Sequence, residues 1–234
     1  MPKRLLIGLA PLLAVAAFAV MPVAAQAAGP QWYVCQKVTL KTGKFTKINC
    51  AIEKAESNFE KVLIGNLSSA VLVVSKHVAG HKAVLRAPKI ASGIECEIVK
   101  DESWLWNSRM RGRDINEIEF SKCKGFGGLA KCTVAEPIIV EVATRLKEVG
   151  GKIYNEYTAV SGEPVAEVTL SGAECPAPGT NSVTGTVMGE IAAGGGKFQK
   201  FNAGELTLEY LGEKAEFEGE TEQEGAGGEG VFVK

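Results

Sequence analysis

Through much of its length the chain alternates apolar and polar residues with a period of two, and few architectures use that pattern. Ile138, Val140, Val142, Thr144 and Leu146 alternate with Ile139, Glu141, Ala143, Arg145 and Lys147, as in a strand buried on one face. Gly150-Gly151 turns the chain into residues 153–160, and Ser161-Gly162-Glu163-Pro164 turns it again into 165–170, which predicts a three-strand meander. Leu206, Leu208 and Tyr210 lead through Leu211-Gly212-Glu213-Lys214 into residues 215–223, a second hairpin. Shorter strands are expected over 32–40, 43–48, 70–76, 82–86, 94–99, 116–122 and 182–191. Outside the first residues, the one stretch with helical character is a weak one over 51–60. Many short strands joined by Gly-rich turns predict an all-β protein, an antiparallel sandwich or barrel.

Residues 1–27 read as a helical signal peptide. Lys3 and Arg4 supply its positive start, Leu5 to Met21 its apolar stretch, and Ala25-Gln26-Ala27 a small-x-small cleavage site. The expected mature chain begins at Ala28, is secreted or held at the cell surface, and has no span after cleavage. The alternative is an uncleaved N-terminal helix acting as an anchor. All six cysteines, Cys35, Cys50, Cys96, Cys123, Cys132 and Cys175, lie beyond the leader. An even count behind a signal peptide predicts up to three structural disulfides. Fifteen pairings are open; local spacing favours Cys35 with Cys50 and Cys123 with Cys132, leaving Cys96 for Cys175. The chain divides into the leader, a small Cys35/Cys50 segment over 28–62, and a main antiparallel β domain over 63–234.

The stretch Cys35…Gly43-Lys-Phe…Cys50…Asn58-Phe-Glu is followed by Gly93-Ile-Glu-Cys96, Glu119-Phe-Ser-Lys-Cys123 and Cys132-Thr-Val. Together with Leu170-Ser-Gly-Ala-Glu-Cys175 and Val183-Thr-Gly-Thr, they resemble a family of exported, β-rich, cysteine-containing bacterial proteins of actinobacterial type. No activity or catalytic residue is established for that family. The resemblance implies export and a β fold, and it transfers no site.

Charge excludes one broad class. With 26 Lys and Arg against 27 Asp and Glu, the chain lacks the basic excess that nucleic-acid binding requires. The balance hides a split: residues 28–124 carry sixteen Lys and Arg against ten acidic residues, and residues 125–234 carry eight against seventeen. Two histidines and two aspartates leave little material for common catalytic sites. Gly225-Ala-Gly-Gly-Glu-Gly230 spells a dinucleotide fingerprint, but too few residues follow for the helix that would hold the pyrophosphate. Gly194-Gly-Gly-Lys197 lacks the leading Gly and the Ser/Thr of a phosphate loop. Ser121-Lys-Cys-Lys124 and Lys41-Thr42-Gly43 match fragments of the penicillin-recognising enzymes, in reversed order and in strand-and-turn sequence. None of these predicts a catalytic residue or a cofactor.

Three features remain. Trp104-Leu-Trp106 places two indoles on one face of an extended segment, close to Arg109, Arg111 and Arg113, a set that could contact a sugar or peptide. His77 and His81 flank Val78-Ala79-Gly80; a hairpin there would set both imidazoles toward one metal ion, though no third histidine exists to complete a zinc site. Glu216, Glu218, Glu220, Glu222 and Glu224 fall on one strand face, which suits a charged surface better than a calcium site. The leading expectation is a non-enzymatic exported β protein that binds an extracellular ligand or envelope component, with Trp104, Trp106 and Arg109 as its candidate contacts. Alternatives are a secreted polysaccharide hydrolase using a pair of glutamates, and a purely structural envelope protein.

Overall fold

The computed structural model describes residues 29–162, 164–192, 198–201 and 207–234. The proposed leader, the Gly194–Lys197 motif and Leu206 lie outside them. Eighteen strands are present among the described residues. They are β1 (Trp32–Lys37), β2 (Gly43–Phe45), β3 (Glu53–Ser57), β4 (Phe59–Leu63), β5 (Val71–His77) and β6 (Ala83–Ala87). Next come β7 (Ser92–Ser108), β8 (Arg111–Phe126), β9 (Thr133–Val134), β10 (Ile138–Val149), β11 (Lys152–Ala159) and β12 (Ala166–Ser171). The last are β13 (Gly179–Thr184), β14 (Val187–Ile191), β15 (Phe198–Phe201), β16 (Leu208–Tyr210), β17 (Glu213–Gly225) and β18 (Val231–Val233).

Eight strands close into an antiparallel barrel, in the order β15-β14-β11-β10-β8-β7-β5-β17, with β17 pairing back onto β15. Closure removes the exposed edges that an open sheet of this size would present. The period-two pattern sets the barrel's inside and outside. On β7, Val99, Asp101, Ser103, Leu105 and Asn107 are buried while Lys100, Glu102 and Trp104 are exposed. On β10, Ile138, Val140, Val142, Thr144 and Leu146 are buried, as their alternation predicts. β5 and β6 run in one direction and share one lane between β7 and β17.

Each barrel end is covered. At one end β1 brings in Trp32, which is fully buried against Leu146 and Gly112 with Val34, Ile64, Val73 and Leu105 around it. Gly112 is required there, because a Cβ would stand 2.3 Å from Leu146 Cδ1 and 2.8 Å from Trp32 Cδ1. Asn107 fixes this plug from the barrel wall. Its Oδ1 accepts from Trp32 N–H at 2.9 Å, and its Nδ2 donates to the carbonyls of Trp32 at 2.9 Å and Ile64 at 2.6 Å. β1 belongs to a five-stranded sheet ordered β18-β1-β4-β2-β3, so residues 231–233 complete the N-terminal segment. At the other end β9, β12, β13 and β16 form a lid that joins the barrel through β16 and β17. The lid buries Val165, Val168, Leu170, Val183 and Leu208 against the barrel interior.

Several expectations are corrected. The meander ends after two strands: β10 and β11 pair, but the other edge of β11 is taken by β14, and β12 leaves to build the lid. Residues 182–191 form two strands with different partners. The weak helix over 51–60 is β3 and the start of β4, which pair into the five-stranded sheet, and Phe59 packs beside the Cys35–Cys50 bridge. That bridge is as expected, but the others join Cys96 to Cys123 and Cys132 to Cys175. Spacing along the chain favoured Cys123 with Cys132, whereas the β7–β8 register sets Cys123 directly opposite Cys96.

Candidate functional site

The barrel interior is stratified. Between the plug and the lid end lies a belt of inward-facing polar residues supplied by six strands. They are Ser75 on β5, Asp101 and Ser103 on β7, Asp114 and Asn116 on β8, Thr144 on β10, Asn155 on β11, and Thr221 and Gln223 on β17. All nine are less than a tenth exposed. Cross-strand register assembles them, with Gln223 opposite Ser75, Ser75 opposite Asp101, Ser103 opposite Asn116 and Asp114 opposite Thr144. The sequence contains only two aspartates, and both are in this belt, while its 25 glutamates are elsewhere.

The belt's hydrogen bonding is incomplete. Asn155 Nδ2 donates to Asp114 Oδ2 at 3.0 Å, and Ser103 Oγ donates to Asp101 Oδ2 at 3.4 Å. Asp101 Oδ1, Asp114 Oδ1, Asn155 Oδ1 and Thr144 Oγ1 have no partner among the described residues, nor does the amide nitrogen of Gln223. Buried polar atoms are normally paired, so such a cluster marks a place where something else supplies partners. Burial pushes the Asp101 carboxyl up to about 7, against the pull of the Ser75 and Ser103 hydroxyls. Burial likewise pushes Asp114 up to about 8, opposed by the Asn155 and Asn116 amides and reinforced by the neighbouring Asp101.

Between belt and lid lies an apolar cavity of about 120 Å³. Val99, Ile118, Val142 and Phe217 line its walls, and Val168 and Leu208 reach it from the lid. Tyr157, Phe201, Phe217 and Phe120 form a chain of ring contacts along one side, with centroids 5.5, 5.3 and 6.0 Å apart. His77, Asp101 and Thr221 bring polar atoms to its floor. An eight-stranded barrel is the size at which the interior is either filled by side chains or left able to hold one small ligand.

The residues singled out from sequence lie elsewhere, apart from His77. Trp104 is 51% exposed and Trp106 is half-buried, both on the outer face of β7. Trp104 stands opposite Leu72 and Ile115, and Trp106 opposite Arg113, while Arg109 occupies the β7–β8 turn with φ of 50°. This is a convex outer wall, and none of the three lines the cavity. His77 and His81 do not face each other across a hairpin, because β5 and β6 continue in the same direction. His77 points into the barrel, whereas His81 Nδ1 meets Glu220 on the outside at 3.5 Å. No group of three metal-ligating side chains stands together among the described residues. The glutamates of β17 do share its outer face, opposite the β5–β6 lane: Glu218 pairs with Arg86 at 3.6 Å, and Glu222 is in register with Lys76. The acidic second half and basic first half of the chain thus meet along this seam. Gly225–Gly230 closes a tight turn from β17 to β18, in which Glu229 accepts from Gly227 N–H at 2.9 Å.

Fold and site together define a closed antiparallel β-barrel, stapled by three disulfides, plugged at one end and lidded at the other, with a polar belt beneath an apolar cavity. Compared with known proteins, the chain matches no family model, no curated sequence and no solved structure.

Proposed function

We propose that the protein is an exported, non-enzymatic binding protein whose ligand site is the barrel interior. The observation that carries the reading is the apolar, aromatic-walled cavity of about 120 Å³ between lid and belt. Apolar cavities of this size in other proteins stay dry and take up small hydrocarbons. Three disulfides suit an oxidising compartment, which agrees with the leader read from residues 1–27. The ligand is then a small, largely apolar molecule held by shape and dispersion. The glutamates of the β17 row face neighbouring cations on the outer wall, which favours a structural role for them over hydrolysis.

Toluene provides the test. Saturating toluene is expected to raise the melting temperature, and to shift the methyl resonances of Val99, Val142 and Leu208 while leaving those of Val34 unmoved. Leu208→Trp, which fills the cavity from the lid, is expected to abolish both effects. Absence of any shift at saturation would overturn the reading.

A further inference from the structure

The unpartnered atoms beneath the cavity constrain the chemistry of its occupant further, on the reading that the cavity binds a small apolar ligand. Two of them belong to residues that line the cavity, Asp101 Oδ1 and His77 Nδ1; Asp114 Oδ1, Asn155 Oδ1 and Thr144 Oγ1 lie deeper in the belt, as does the unpartnered amide nitrogen of Gln223. Asp101 is nine-tenths buried, faces the cavity floor directly, and has Asp114 nearby in the belt. Among the described residues, no lysine or arginine lines the cavity to neutralise an anionic ligand. Glu220, the other carboxylate at the rim, is paired with His81 outside. His77 Nδ1, also buried and without a partner among the described residues, adds another potential acceptor in its neutral form. A carboxyl group at the floor of an apolar cavity, with no lysine or arginine among the described lining residues, matches a head group that only donates once it ionises, and an ammonium has three donors and no acceptor.

We infer that the barrel holds a small hydrophobic primary amine, its alkyl or aryl body in the apolar cavity and its ammonium group on Asp101, with Asp114 behind it. An amine of this kind spans both layers, which a plain hydrocarbon cannot. The ammonium form meets a protonated carboxyl, so binding ionises Asp101 and one proton passes from its carboxyl to the buffer; no bond within the ligand changes. Asp101 contacts the head group, and Asp114, which keeps its proton at pH 6, lies behind it without adding charge.

Toluene, benzyl alcohol and benzylamine share a ring and differ in the head, and titration calorimetry of the full folded protein at pH 6 separates them. The expected result is benzylamine binding at least tenfold more tightly than toluene, with benzyl alcohol between. Buffers of different ionisation enthalpy should report about one proton released per benzylamine and none per toluene. Asp101→Asn is expected to remove the benzylamine advantage over toluene and the proton release. Asp101→Ser, which also removes the carboxyl at the cavity floor, serves as the second variant should Asp101→Asn fail to fold, with the same loss expected. Toluene binding with no benzylamine advantage, or an advantage that survives both substitutions, would overturn the amine assignment and leave the binding proposal standing. Failure of all three compounds to bind would overturn both.

Discussion

Asp101 and Asp114 keep their protons in the folded barrel at pH values where an unfolded chain has lost them. An unfolded aspartate ionises at about pH 4; in the barrel, burial raises Asp101 to about 7 and Asp114 to about 8. Between those limits the unfolded state binds fewer protons than the folded one, so stability falls as pH rises. The loss begins at about pH 4, where the unfolded chain starts to ionise, and levels off above about pH 8, where both folded carboxyls have ionised as well. Calorimetry is expected to show a melting temperature that declines from pH 5 to pH 8. Asp101→Asn and Asp114→Asn should each flatten that decline and raise the melting temperature at pH 8; a wild-type profile without slope would contradict the assignment. Gly112 offers a separate residue-scale test. Adding a methyl group there forces Leu146 and Trp32 apart, and Gly112→Ala is expected to cost about 1–3 kcal/mol in urea unfolding.

Among the elements, the lid is the least secured. Its ladder to the barrel is the short β16–β17 pairing, and the Cys132–Cys175 bridge ties the segment after β8 to the one after β12. That bridge closes a separation of 43 residues, worth about 4 kcal/mol in the chain-entropy model. Cys96 and Cys123, by contrast, already face each other in the long β7–β8 hairpin. The paired substitution Cys132→Ser with Cys175→Ser is therefore expected to lower stability and to speed amide hydrogen exchange in β12 and β13 before it does so in β7 and β8. Toluene exchange, followed by NMR line shape, should accelerate in the same variant. Equal exchange rates in lid and barrel would show that the two open together.

For the whole molecule, what could be read from sequence follows from what alternation encodes. The buried set on β10 and the outward glutamates of β17 were visible because one face of each strand is apolar and the other charged. Partner choice was not: β12 alternates as β10 does, yet lies in the lid, because pairing depends on which edge is already occupied. Much the same holds for the site. The Trp104–Trp106 pair drew attention by residue type, while Asp101 and Asp114 look like ordinary surface acids until parity is followed along their strands. Val99, Asp101, Ser103 and Leu105 are one inward series, and the polar interruption in it was the legible signal for the belt. The plug has consequences on the same scale. Trp32→Ala removes a fully buried indole from the barrel's end and is expected to cost about 3–5 kcal/mol. Deleting residues 231–234 strips β1 of its neighbour β18, and should lower the melting temperature and expose Trp32 fluorescence to acrylamide quenching.

The shared lane of β5 and β6 gives the wall a natural splice point. The chain leaves after His77, turns through Val78 with its carbonyl accepting from His81 N–H at 3.0 Å, and resumes the lane at Ala83. Gly80, at the tip, has φ of 85° and open space where a side chain would be. Extra sequence inserted at Gly80 would therefore leave the registers on both sides intact. His77, at the edge of the excursion, faces the cavity floor, so a fluorophore or peptide reporter grafted at Gly80 would sit just across the wall from the chamber and could signal its filling without entering it.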